Sequence, residues 1–144
     1  MKKMLFAFAL CLGGLLGAQA QTMPAADSLY RSLGEKAGIA RLMDNFVDRL
    51  VKNVRIGSHF KNANLQNLKA SLTDQVCQVS GGPCVYKGPD MKTAHADMDI
   101  RKGDFNALVE DLQAAMDAQG IAFGQQNRLL AMLAPMHRDV ITVH

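Results

Sequence analysis

The segment EKAGIARLMDNFVDRLVKN, Glu35 to Asn53, constrains this chain more than any other. Its apolar residues are Ile39, Leu42, Met43, Phe46, Val47, Leu50 and Val51. They advance in alternating steps of three and one, which draws a wide stripe along one side of a helix. A stripe that wide has to be covered, and the rest of the chain offers only more helices to cover it. Ser28 to Leu33 holds one or two helical turns, stopped at Gly34. VRIGSHFKNA breaks the helical spacing around Gly57 and predicts a corner. Asn64 is placed to cap a helix with Leu65, Leu68, Leu72, Val76 and Val79 facing inward, and Gly81 ends it. After the loop GPCVYKGPD, Asp90 caps a short helix that carries His95. Asp104 is then expected to cap FNALVEDLQAAMDAQ, with Phe105, Leu108, Val109, Leu112 and Met116 inside and Gly120 as the stop. A last helix runs from about Gln125 to Val143 and should kink at Pro135, because proline removes a backbone donor and crowds the preceding turn. No sustained two-residue alternation competes. The expectation is an all-α domain of about five packed helices.

The chain has 144 residues and no tryptophan, so the core of this single domain must be aliphatic and methionine-rich. Residues 1–20 are different in kind. Lys2 and Lys3 precede an uncharged run from Met4 to Gly17, and Ala18-Gln19-Ala20 follows. That order predicts a secretory signal peptide cut after Ala20, with a linker over 21–27 and the domain over 28–144. The apolar run is too short to span a membrane. Cys11 follows Leu10, a poor fit to a lipoprotein cleavage site. The leader holds two of the sixteen basic residues and none of the thirteen acidic ones, so the remainder carries a formal +1. No basic stripe points to nucleic acid. Export implies a periplasmic or secreted protein in an oxidising compartment. Cys77 and Cys84, on either side of QVSGGP, are then disulfide candidates; two free thiols are the alternative.

Most chemistries have no local signature here. Phosphate loops, dinucleotide-type glycine runs, His-Glu-x-x-His and Cys-x-x-Cys-His are all missing. Four histidines remain. His144 is terminal, His137 follows Pro135, and His59 stands in the corner before Phe60. His95 alone has apolar neighbours at helical spacing, Met91 and Met98, and spacing by itself leaves it either a packing residue or a ligand.

Phe60, Gly81-Gly82-Pro83, Tyr86-Lys87-Gly88, MKTAHADMDI from Met91 to Ile100, and DFNALVEDLQAAMDAQGI from Asp104 to Ile121 together resemble the group I truncated haemoglobins. The resemblance runs in order from Leu29 to Val143. It implies a two-over-two helical sandwich around a non-covalent b-type haem, in an exported bacterial protein. His95 matches the proximal iron ligand, as neutral imidazole suits haem iron, and its other ring nitrogen is expected to bond a backbone carbonyl one turn earlier. Phe60 matches the phenylalanine that packs on the haem face. Tyr86 and Met91 fall where the haem edge and proximal side are lined. Ile100, Phe105 and Val109 would pack the proximal pocket, with Met132 and Leu133 closing it.

The chain departs from the family on the other side of the haem. Members commonly carry Phe-Tyr in the second helix, and here the pair is Phe46-Val47. Leu68 and Leu72 on the facing helix are apolar, with Val76 one turn beyond. Gln75 is either a donor to a bound gas or a surface glutamine. Without a donor, oxygen should leave faster, while carbon monoxide and nitric oxide, less dependent on one, should be less affected. His59 is a remote sixth ligand. The resemblance thus implies reversible binding of oxygen, carbon monoxide and nitric oxide, with an unidentified electron donor, as a monomer or weak dimer. Nitric oxide oxidation, redox or gas sensing, and a haem-free helical binding module are the alternatives.

Overall fold

The computed structural model describes residues 25–143. The expected leader, its cleavage site at Ala20, Cys11, most of the linker and His144 lie outside them. Among the described residues, seven α-helices and two short 3₁₀ segments follow one another. They are α1 (Ser28–Ser32), α2 (Glu35–Lys52), a 3₁₀ corner at Gly57–Phe60, α3 (Leu65–Val79), α4 (Met91–His95), α5 (Lys102–Ala118), α6 (Phe123–Leu133), a 3₁₀ turn at Ala134–Met136, and α7 (His137–Val140). Among the described residues there is no strand, and no helix is long and apolar enough to cross a membrane.

The stripe of α2 organises the packing. Ile39, Leu42, Met43, Phe46 and Leu50 join Leu29 and Leu33 of α1, Val76 and Cys77 of α3, Leu112, Ala115 and Met116 of α5, and Leu129 of α6 in one core. α2 packs against both α3 and α5, and α1 touches both α2 and α6. The approach of α1 to α2 is close. A Cβ on Gly38 would stand 2.1 Å from the Leu33 carbonyl oxygen, so only glycine fits there.

Local signals account for most helix ends. The Asn64 side chain accepts the Asn67 N–H at 3.0 Å and caps α3. Asn64→Ala should therefore lower stability by about 1 kcal/mol, read as a fall of roughly 4 °C in thermal unfolding. α3 stops at Gly81, whose φ of 90° is open to glycine. The N–H of Gly82 then returns to the Cys77 carbonyl at 2.8 Å and that of Gly81 to Gln78 at 3.2 Å, closing the helix end.

Several expectations need correction. Asp104 is not the cap of α5: the helix begins at Lys102, and Asp104 sits in its first turn with its carboxylate accepting the Arg101 N–H at 2.9 Å. An acid at that position reaches back to the cap, so the helix starts before it. The last helix is three pieces from Phe123 to Val140, because Pro135 turns the break into a 3₁₀ segment. Val51 is 40% exposed, one residue past the point where the buried stripe ends at Leu50. On α3, Leu65, Leu68, Leu72 and Val79 are only half-buried, while Thr73, Gln75, Val76 and Cys77 are buried.

Candidate haem pocket

α4 has five residues, too few to persist without support. Asp90 holds its start, accepting from the Thr93 N–H at 2.8 Å and the Thr93 hydroxyl at 3.1 Å. Those bonds, the backbone one first, keep the Asp90 carboxyl below the ordinary carboxylate range. The cap thus holds above the unfolded pKa and is lost only as pH falls through the lowered folded value. Beyond the helix, the Ile100 N–H donates to the Thr142 hydroxyl at 2.7 Å, and the N–H groups of Thr142 and Val143 return to the Ile100 carbonyl. Before it, Cys77 and Cys84 are joined through their sulfurs with Cα atoms 5.7 Å apart, and the Tyr86 N–H donates to the Gln78 side-chain oxygen at 2.6 Å.

At the end of α4, His95 Nδ1 lies 2.7 Å from the Met91 carbonyl oxygen, one turn earlier. A carbonyl oxygen can only accept, so Nδ1 carries the proton and donates. In the neutral ring this leaves Nε2 its lone pair, ready for a metal. The side chain lines a cavity of about 630 Å³, within the ordinary range for small-molecule and cofactor sites. Met43, Phe46 and Leu50 of α2 form one wall with Phe60 of the corner and Leu68, Leu72 and Val76 of α3. Met91, Met98 and Ile100, with Phe105, Leu108, Val109 and Leu112 of α5, form another. Leu130, Leu133, Met136 and Val140 close the end. Such walls suit a flat apolar ring system, and one imidazole suits its central metal.

Residues 28–142 match the family model described as bacterial-like globin. The chain belongs to that globin family. It is 27% identical over 95 residues to the group 1 truncated hemoglobin of Tetrahymena thermophila, a match covering 66% of this chain and 78% of that one. The truncated hemoglobin of Tetrahymena pyriformis, solved in its Fe(III) form, superposes with a TM-score of 0.76 at 25% identity, over 78% of this chain and 97% of that one. The 2/2 hemoglobin of Synechococcus, solved with covalently attached heme, shares the fold at a TM-score of 0.74 and 20% identity, over 78% of this chain and 97% of that one. The two-over-two expectation agrees with these structures. As a truncated globin, the protein binds haem and, through it, oxygen and other diatomic gases.

The globin brings most of the expected pocket residues together. His95, Phe60, Phe46, Leu68, Leu72, Gln75, Val76, Met91, Ile100, Phe105 and Val109 all line the cavity, as does Leu133. Three do not. Val47 is fully buried but stands off the wall, because the cavity side of α2 is Met43, Phe46 and Leu50, and the next residue after Phe46 is turned a quarter of the helix away. Met132 is 40% exposed for the same reason, beside Leu130 and Leu133, which face in. Tyr86 folds back on its own loop, its hydroxyl donating to the Pro89 carbonyl at 2.8 Å. Burial there, with the Asp90 charge second, raises the phenol pKa.

Gln75 lines the cavity in a way the resemblance did not imply. Its amide nitrogen lies 3.5 Å from Met91 Sδ and 3.8 Å from Met136 Sδ, beside the turn that carries His95. Among the apolar lining residues missed from the sequence are Met43, Leu50, Ile56, Met98, Leu108, Leu112, Leu130, Met136 and Val140. Helical spacing from Phe46 and Phe105 would have found Met43, Leu50, Leu108 and Leu112, and Met98 stands three residues after His95; Met136 had no such guide. Polar side chains enter the lining at His59, Asp104, Asn106 and Glu110. Glu110 pairs with Arg55, and that hydrogen bond lowers its pKa while raising the arginine's. His137 is exposed, its Nδ1 3.1 Å from the Ala134 carbonyl oxygen and its ring edge-on to Phe105 at 6.2 Å.

Proposed function

We propose that this globin is an exported bacterial group I truncated haemoglobin that holds a non-covalent b-type haem on His95 and binds oxygen, carbon monoxide and nitric oxide reversibly. One observation carries the reading: His95 gives Nδ1 to the Met91 carbonyl and keeps Nε2 free in the wall of an apolar cavity. Among the described residues no cluster of three or more His, Cys, Asp or Glu side chains could hold a bare metal ion. A single imidazole is a sufficient protein ligand only for a metal whose other positions are filled by a macrocycle. The two described cysteines are joined to each other, which leaves neither free for a thioether link and supports non-covalent attachment.

Bound haem would supply the iron that takes a diatomic gas, with His95 as its protein ligand. The chain supplies orientation and a dry site. His95 is aimed by its bond to Met91. Phe46, Phe60, Leu68 and Leu72 exclude water from the wall formed by α2, the corner and α3. α2 carries Val47 where the family commonly has a tyrosine, so no hydroxyl from α2 holds bound oxygen and its release is faster than with that hydroxyl; His59 of the corner is the polar side chain on that wall besides Gln75. Gln75 does not supply the missing donor, since its N–H bonds are directed at two thioethers.

The charged start, uncharged run and small-residue end of residues 1–20 support export, as does a disulfide, which persists in oxidising compartments. The protein works in the periplasm or outside the cell, as a monomer or weak dimer, and receives electrons from a separate donor.

The test is the absorption spectrum of the purified protein, ferric, ferrous and with carbon monoxide. A strong Soret band that moves with carbon monoxide is expected. A protein that stays colourless after incubation with hemin would overturn the reading.

A further inference from the structure

Gln75 is a buried polar side chain, 8% exposed, on the α3 face that meets the His95 segment. Its amide nitrogen has two N–H bonds, and two thioether sulfurs stand at 3.5 and 3.8 Å. A thioether has no hydrogen to give, so the nitrogen rather than the oxygen of the amide must face them. The sulfurs belong to Met91, the first residue of α4, and to Met136, in the 3₁₀ turn before α7. One amide therefore joins three segments.

Met91 and His95 are four residues apart and share one face of α4. The Met91 carbonyl is the group that orients the imidazole. α4 cannot hold itself: the Asp90 cap and the disulfide-closed loop tie it before, the Ile100–Thr142 pairing ties it after, and α7 packs against it. Gln75 adds the polar tie from α3, at the turn where the orienting carbonyl sits. A methionine without such a contact has three freely turning bonds and specifies little.

We propose that Gln75 is a positioning residue for the proximal imidazole, gripping the Met91 side chain so that the Met91 carbonyl holds His95 at one angle. This rests on reading His95 as the iron ligand. Gln75 acts on the iron through the histidine, from the protein side, and not on the bound gas.

The variant Gln75→Met keeps length and apolar contact and removes both donors. Gln75→Glu keeps one donor while its carboxyl is protonated and loses it on ionisation. The readouts are the iron–imidazole stretching band of the ferrous protein and amide hydrogen exchange at Ala94 and Met98, whose N–H groups donate to Asp90 and His95. In Gln75→Met the stretching band shifts or broadens, and exchange at those two amides quickens about threefold to fivefold, the ratio one net hydrogen bond represents. In Gln75→Glu the band position follows pH where the parent's does not. An unchanged band and unchanged exchange in Gln75→Met would overturn the proposal. Should Gln75→Met not fold, a pH-independent band in Gln75→Glu would do the same. The parent reading fails separately: a stretching band that survives in His95→Ala removes the ligand assignment itself, whatever Gln75 does.

Discussion

His95→Ala is expected to lose haem. Removing a group that merely orients a metal ligand typically costs 10- to 100-fold in affinity, so removing the ligand should cost at least about a hundredfold. The Soret band of the purified variant should be weak, and added hemin should dissociate readily. The fold should survive, because His95 is half-buried on a five-residue helix outside the core cluster. The substitution breaks one protein hydrogen bond, to Met91, so the haem-free variant should lose about 1 kcal/mol and unfold within roughly 5 °C of the haem-free parent. Comparing the two haem-free proteins separates loss of the ligand from loss of the fold. Free imidazole should restore part of the spectrum, since the variant leaves an imidazole-sized space against the cavity. A variant with the parent's spectrum and haem retention would show that another group holds the iron.

Cys84→Ser should destabilise the protein by about 2.5 kcal/mol, the chain-entropy value for a loop of this size. Thermal unfolding should fall by roughly 10 °C. Cys84 is the informative partner to replace. It is partly exposed, so a serine hydroxyl there can reach water, whereas Cys77 is fully buried in the core and remains as a small apolar thiol. The change should reach the pocket as well. The bridge ties the end of α3, where Gln75 and Val76 line the cavity, to the loop that leads through Tyr86 and Asp90 into α4. Haem loss should therefore be faster in Cys84→Ser than in a surface variant of equal stability. Two alkylatable thiols in the non-reduced parent, or an unchanged unfolding temperature in the variant, would show that the bridge does not form or does not matter.

Much of this molecule was legible from local signals. The steps of three and one in α2, the Asn64 cap, the Gly81 stop and the break that Pro135 forces on the last helix are all written within a few residues of where they act. The pocket was legible only where helical spacing or the ordered resemblance reached it, as at His95 and Phe60. Asp104 misled because an acid serves a helix start either as the cap or from inside the first turn, and the two sites are three residues apart.

What the sequence determined by itself is therefore the helices, their capped and broken ends, and the single histidine set among methionines at helical spacing. Tertiary structure decided which apolar side chains face core and which face cavity. Val47 and Phe46 are adjacent and equally apolar, and only the direction of α2 against α3 and α5 puts Phe46 into the wall and Val47 behind it. It also decided what Gln75 touches. An amide can serve a bound gas, water or a thioether equally well by composition, and the choice fell to Met91 and Met136, which are 16 and 61 residues away along the chain and meet it only when α4 and the last turn are packed against α3.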